Sequence, residues 1–293
     1  MTDALSMFQK NTAILFSIAY RMLGSVTEAD DVMQEAWLRW SNCEWQTVKS
    51  PSAFLSSIVT RLSIDQLRTS KKLRLDYPGP WLPEPLVTHP EESLDAEIQL
   101  QELSIAMLLL LEQLNPMERA VFILKEAFDF SHKQIAQVLD IQVPHSRQLA
   151  KRAKQSLHKE RKPYKTDRTQ HKKLLERFAE CALEGDLTPL KKYLAEDVIA
   201  YTDGGGIVSA AIIPLEGREK VLMVFSHLLA KQKNIAGSRQ QLVEVNDGWG
   251  LYIQSDELES SLFTLATDGG QISRIFVQRN PEKLKNLLSN MAL

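Results

Sequence analysis

The sequence predicts a multidomain chain: two all-α modules, the second with a helix-turn-helix, followed by an α+β domain built as a cone-like barrel. Three observations carry this. Apolar residues recur at helical spacing from about Ser6 to Leu75 and again from about Ser93 to Arg161. Between these blocks, residues 76–92 read DYPGPWLPEPLVTHPEE, whose five prolines and one glycine suit neither a helix nor a central strand. Beyond Thr169, short β-like runs alternate with Gly-containing turns. A length of 293 residues suits two or three domains. The boundaries read as 1–75, a linker at 76–92, 93–162 and 169–293.

In the first block, LFSIAYRML reads as a helix stopped by Gly24. Thr27, with Asp30 three residues on, resembles the capped start of the next helix, EADDVMQEAWLRW. Ser50 and Pro51 start another, in which Phe54, Ile58 and Leu62 with Leu55 predict a buried stripe. In the linker, proline makes a stiff, semi-extended spacer. Its Trp81-Leu82 pair is an apolar anchor that needs a surface to dock on. In the second block, Asn115, Pro116 and Glu118 mark one helix start, and Ser131 with Gln134 marks another. Asp140 to Val143 is a tight turn, and Pro144 opens the helix after it. In the third block, KKLLERFAECALEGD, LTPLKKYLAED, GREKVLMVFSHLLAKQ and PEKLKNLLSN read as helices. VIAYT, GIVSAAII, RQQLVEV, GLYIQ, SSLFTLAT and QISRIFVQ read as strands. Helices leading into a curved antiparallel sheet predict a cone with one internal pocket.

Charge is distributed unevenly. Eleven Lys and Arg fall between Arg147 and Lys173, opposed only by Glu160 and Asp167. That stretch carries +9 in a chain of net charge −2, so the remainder sums to −11. On a helix from 144 to 158, Ala150, Ala153 and Leu157 fall together, with Ser146 and Leu149 beside them. His145, Arg147, Gln148, Lys151, Arg152, Lys154 and Gln155 point outward. A short helix, a tight turn and a basic second helix form a helix-turn-helix. Its second helix is sized for the major groove of B-DNA, and the local charge suits a polyanion. A solvated amphipathic helix of a bundle is the bland alternative.

Other classes are excluded. Apolar runs such as Ala106 to Leu111 are far too short to span a bilayer. Met1 to Lys10 lacks the pattern of a signal peptide. Cys43 and Cys181 are far apart in sequence, which fits a reducing cytoplasm. No Cys and His cluster suggests a metal, and no motif implies a cofactor.

LFSIAYRMLGSVTEADDVMQEAWLRW, followed by PSAFLSSIVTRLSIDQLRTSKKLR, resembles region 2, the promoter-melting region, of extracytoplasmic-function sigma factors (group IV of the sigma-70 family). LNPMERAVFILKEAFDFSHKQIAQVLDIQVPHSRQLAKRAKQSL is similar to their region 4. Together they cover about the first 160 residues in the family's order. A subgroup carries a fused SnoaL-like domain and is marked by WLPEP, DGGGK and NPxKL. Here these stand at Trp81 to Pro85, at Asp203, Gly204, Gly205 and Gly206, and at Asn280 to Leu284. Ile207 replaces the usual lysine and Asp140 the usual glycine, and His145 and Ser146 also depart from common choices.

The resemblance implies a factor, not an enzyme, that takes core RNA polymerase to promoter DNA. By it, Asp31, Gln34, Glu35, Leu38 and Arg39 dock on the polymerase. Arg61, Arg68, Lys71, Lys72 and Arg74 make a basic edge for the melted −10 element. His145, Ser146, Arg147, Gln148, Lys151, Arg152 and Lys154 read the −35 element. It also implies an interdomain regulatory contact, with Asp203 to Gly206 and Asn280, Pro281, Lys283 and Leu284 packing against Trp81, Leu82 and Pro83. A hairpin turn is the bland reading of the glycines. From the residues alone, Tyr201, Asp203, His227 and Trp249 are candidates to line a pocket holding a small ligand, with Asp203 as a general base. The alternative is a helix-turn-helix regulator with a ligand-sensing or vestigial isomerase or cyclase domain.

Overall fold

The computed structural model describes all residues except 1–3, 88–103, 159–167, 185, 234–238, 247, 255–258 and 291–293. The chain divides into two compact units. The first comprises residues 1–75, 90–103 and 108–162; the second comprises 76–89, 104–107 and 163–293. The linker read at 76–92 is therefore part of the C-terminal unit up to residue 89. Its last residues, and the start of the block read at 93, lie outside the described residues, as do four of the eleven clustered cations, Lys159, Arg161, Lys162 and Lys165.

The first unit is helical. Helix α1 spans Ala4–Gln9, α2 Thr12–Leu23, α3 Val26–Ser41 and α4 Pro51–Leu75. Gly24 ends α2 in the left-handed region at φ 67°, where its N–H reaches the Tyr20 carbonyl. The cap of α3 is Ser25, not Thr27. Ser25 takes the Glu28 N–H at 3.2 Å and holds extended backbone, while Thr27 already lies inside the helix. Leu15, Ile18, Met22, Leu55, Val59 and Trp40 are fully buried, and the Trp40 indole donates to the Ala4 carbonyl at 2.8 Å. The buried stripe of α4 runs through Leu55, Val59, Ile64 and Leu67. Phe54, expected within it, is 38% exposed, because the core faces Leu55.

Helix α5 spans Ile105–Leu111, α6 Pro116–Glu126, α7 His132–Leu139 and α8 Val143–His158. Both predicted capping boxes form, Asn115 with Glu118 and Ser131 with Gln134. Asp140 turns the chain from α7 to α8 at φ 55° and ψ 51°, a region Asp enters more readily than most residues.

In the second unit α9 spans Arg168–Glu184 and α10 Arg218–Lys233. The strands are β1 Leu194–Asp203, β2 Leu215–Glu216, β3 Arg239–Val245, β4 Gly248–Gln254, β5 Ser261–Asp268 and β6 Gln271–Gln278, and α11 spans Pro281–Asn290. They form one sheet in the order β2-β1-β6-β5-β4-β3, antiparallel except for β1 beside β6. Two expectations fail. LTPLKKYLAED is a short 3₁₀ turn, Thr188–Lys192, that gives way to β1, because pairing with β6 overrides the local helical pattern. GIVSAAII is a loop, because Gly205 and Gly206 at φ 65° and 72° turn the backbone out of strand geometry.

Each face of this sheet has its own cover. Val198, Ala200, Leu251, Ile253, Phe263, Leu265, Ile275 and Val277 point inward onto Leu174, Leu175 and Phe178 of α9 and Val221 and Phe225 of α10. On the outer face, Val243, Val245, Tyr252 and Leu262 pack against Leu284 and Leu287 of α11, with Val87 from the linker.

Candidate functional sites

Strand alternation sends Val198 and Ala200 into the core, so Asp203 at the end of β1 faces the opposite, outer side. There it meets the linker. Asp203 is 1% exposed. Its Oδ1 accepts from Tyr77 Oη at 2.6 Å and the Gly205 N–H at 3.0 Å. Its Oδ2 accepts from the Leu82 N–H at 2.8 Å and Lys283 Nζ at 2.7 Å. The backbone carbonyl of Asp203 accepts from the Arg279 and Asn280 N–H groups at 2.8 and 2.9 Å.

Lys283 completes the site. Its ammonium also donates to the Leu82 carbonyl at 2.7 Å and stands 4.3 Å from the Trp81 ring centre and 4.9 Å from that of Tyr77. Asn280 caps α11, accepting the Glu282 N–H, and donates from its amide to Tyr77 Oη at 3.1 Å. Burial, then the Asp203 carboxylate beside it, pushes the Tyr77 phenol well above its ordinary range, so it stays a donor.

The glycines fit this packing. A Cβ on Gly206 would strike Pro78, and one on Gly205 would strike the Asn280 amide. Leu82 is 1% exposed. Further along, Gln278 donates to the Pro83 carbonyl at 3.4 Å, and Asn286 donates to the buried Glu84 at 2.6 Å. Leu86 exchanges backbone and side-chain bonds with Asn246, and Val87 bridges to Val245. The segment 77–87 is thus a strap held from Asp203 to the end of β3. Sequence reasoning missed Tyr77, Asn246, Gln278 and Asn286, and gave Glu84 no role beyond its place in WLPEP. A tyrosine beside Pro-Gly could have been flagged, but nothing in the sequence marks the others. Ile207 is 55% exposed.

The four candidate pocket residues do not converge on one space. Tyr201 stacks on Phe276 on the outer face, with ring centres 5.7 Å apart. His227 is exposed on α10, and Trp249 packs at the inner core with Lys172 4.0 Å from its ring centre. An apolar cluster lies on the inner face of the sheet, and Asp203 points away from it. A cavity of about 420 Å³ opens instead beside Arg239, Gln240, Gln241, Tyr252 and Gln254.

In the first unit, α8 buries Ser146, Leu149, Ala150 and Ala153 and exposes His145, Arg147, Gln148, Lys151, Arg152 and Lys154. Ser146 must be removed from the predicted contact surface. It is fully buried, and its hydroxyl lies 2.9 Å from His132 Nδ1, tying α8 to α7. Lys154 pairs with Glu126 of α6 at 2.8 Å. On α3, Asp31, Gln34, Glu35, Leu38 and Arg39 share one face, with Leu38 54% exposed and Glu35 paired to Arg39 at 2.8 Å. On α4, Arg68 is exposed beside Asp65. Lys71 is not available as expected: its ammonium donates to the Glu112 and Leu114 carbonyls at 3.2 and 2.5 Å, and burial pushes its pKa down. The side chain of Lys72 lies outside the described residues. Among the described residues no group of His, Cys, Asp or Glu could hold a metal, and no helix is long and apolar enough to cross a membrane.

Residues 7–73 match the family Sigma-70 region 2, and residues 104–157 match Sigma-70, region 4. The chain is 32% identical over 241 residues to the ECF RNA polymerase sigma factor SigJ of Mycobacterium tuberculosis, covering 81% of this chain and 77% of that protein. It is 29% identical to the probable ECF sigma factor SigI of the same organism, over 67% of this chain and 68% of SigI. The crystal structure of SigJ superposes with a TM-score of 0.78 at 29% identity, over 96% of this chain and 98% of that one.

Proposed function

The chain belongs to the extracytoplasmic-function RNA polymerase sigma factors, and from that premise we propose that its C-terminal domain sets the spacing between its two promoter-reading modules by holding the linker that joins them. The coarse activity follows from the family. A sigma factor binds core RNA polymerase and promoter DNA and directs initiation, and it is not an enzyme.

Within that activity, exposed Asp31, Gln34, Leu38 and Arg39 with half-buried Glu35 on α3 form the face offered to the polymerase. Arg147, Gln148, Lys151 and Arg152 of α8 enter the major groove at the −35 element, with His145 at the helix start and Lys154 toward phosphate. The basic edge of α4, Arg61 and Arg68 first, takes the melted −10 strand.

The observation that carries the regulatory reading is the strap on Asp203 and Lys283. Residues 74–103 join region 2 to region 4, and residues 77–87 within them are held by the C-terminal domain. The remaining residues 88–103, even fully extended, reach at most about 55 Å. Holding residues 77–87 fixes where this free length begins, so the geometry of the strap biases the spacing. A small ligand of this domain would use the cavity at Arg239 and Tyr252, since Asp203 is closed by the strap.

The test is initiation by core polymerase on a promoter series differing only in the distance between the two elements. The parent chain should favour one spacing. Truncation after Arg168, or Lys283→Met, should broaden that preference while core binding persists. An unchanged profile in both variants would overturn the proposal.

A further inference from the structure

In the helix-turn-helix, a side-chain bond joins the two helices. His132 opens α7, and its Nδ1 lies 2.9 Å from the Ser146 hydroxyl of α8. Ser146 is fully buried and His132 half-buried, so the bond sits at the edge of the contact between the helices. A hydroxyl both donates and accepts. It donates to Nδ1 of a neutral imidazole and accepts from Nδ1 of a charged one, so the bond survives a change of protonation.

The charges around this ring are mostly positive. Arg147 and Lys154 act on it from α8, and Lys125 and Glu126 from α6. Lys133 follows it on α7. Glu126 is paired with Lys154 at 2.8 Å, and Lys125 with Asp129 of the α6–α7 connection at 3.1 Å. Burial first, then Arg147 and Lys125, hold the imidazole below its ordinary pKa in the free chain. Arg147 also belongs to the face assigned to the major groove. A phosphate backbone laid along α8 brings negative charge to the same cations and offsets the repulsion that keeps His132 neutral.

We infer that His132 is a positioning residue that couples binding of the −35 element to proton uptake: its ring holds α8 on α7 through Ser146 and takes on charge as phosphate arrives beside Arg147. Duplex DNA raises the pKa of His132 from its depressed value, so the complex takes up the proton first as pH falls. Affinity then rises as pH falls through the bound-state value and levels off below the free-state value. This rests on the reading that α8 docks on duplex DNA.

The test uses the full chain and a fluorescein-labelled duplex, read by anisotropy. His145, a second histidine on α8, is replaced by Gln in both chains compared, so that its own protonation does not enter. The His145→Gln chain should bind about threefold more tightly at about pH 6 than at about pH 7.5. Adding His132→Asn places an amide oxygen that still accepts from Ser146 but takes up no proton. It should remove that gain and leave affinity at about pH 7.5 near that of the single variant. In the parent, the NMR titration of the His132 Cε1–H signal should show a midpoint that moves up when duplex is added. That measurement needs no substitution at His132 and stands even where the variant folds poorly. A gain in affinity that survives His132→Asn would overturn the inference, as would a midpoint that stays or falls on adding duplex. Arg152→Ala separates this outcome from failure of the underlying reading. If it leaves duplex binding unchanged at constant pH, α8 does not dock on DNA. If it weakens binding while the pH dependence persists in His132→Asn, only the proton coupling is wrong.

Discussion

Lys283→Met tests the strap at its charged centre. The Asp203 side chain has no exposure and that of Lys283 only 13%, so the pair is closed to water. The substitution keeps the stem but removes the bond to Asp203, the bond to the Leu82 carbonyl and the charge between the Trp81 and Tyr77 rings. Breaking a buried pair from one side costs about 3–5 kcal/mol because the other charge is left uncompensated. Asp203 retains the Leu82, Gly205 and Tyr77 donors, and the methionine sulfur regains some contact with the rings, which places the loss near the low end, about 3 kcal/mol. At 1.4 kcal/mol per factor of ten, that is about a hundredfold. The Leu82 N–H donates directly to Asp203 and reports on docking. Hydrogen exchange at Leu82 should therefore speed up about a hundredfold. Amides of Phe263 and Ile275, deep in the sheet, should exchange as before. Leu82 exchange within about threefold of the parent would refute the argument that this pair holds the strap. Equal acceleration at Ile275 would refute the claim that the effect is local. Adding Asp203→Asn should recover part of the loss, since both charges are then gone.

Gly205→Ala should lower the stability of the C-terminal domain by about 1–2 kcal/mol through its positive φ alone, and further by displacing Asn280. Gly217→Ala, at φ 90° with nothing within 4 Å of the added Cβ, is the control that isolates the Asn280 contact in denaturant titrations. Arg152→Ala should reduce the salt slope of duplex DNA binding by about one. Lys154→Ala should change it less, because Glu126 already faces that ammonium; equal slopes for the two variants would contradict the assignment. His171 is buried, with Nε2 3.0 Å from the Leu265 carbonyl and Nδ1 accepting from the Trp249 N–H, and burial pushes its pKa below the ordinary value. The unfolded chain then takes up the proton first as pH falls. Stability of the domain should be full above about pH 6.5 and decline below it, and His171→Gln should flatten that decline. A pH profile identical in parent and variant would show that His171 carries no such linkage.

What was legible in the sequence follows a physical division. The capping boxes of α6 and α7, the left-handed Asp140 and the exposed face of α8 are set within a few residues of chain, and local pattern finds them. Ser146 shows the limit: its helical position was read as inward, yet its place near the helix start invited a contact role, and only the bond to His132 decides. LTPLKKYLAED was misread because a partner nearly eighty residues away in sequence, β6, makes its second half a strand. The strap's partners outside the three short motifs were invisible for the same reason. Glu84 meets Asn286 across 202 positions and Gln278 meets the Pro83 carbonyl across 195. Such pairings leave no periodicity on either side.

The same buried carboxylate that invited a catalytic reading argues against one here. A general base needs an open path to a substrate proton. Asp203 has four donors on its two oxygens, one from the phenol of Tyr77, one from Lys283 and two from backbone amides. That arrangement leaves little lone-pair capacity for a reacting proton and makes the side chain a structural anchor. On the inner face, Leu174, Phe178, Phe225 and Phe263 belong to an apolar cluster that the Asp203 side chain does not join. Chemistry that could have faced inward is carried on the outside of the sheet and spent on a segment of the same chain.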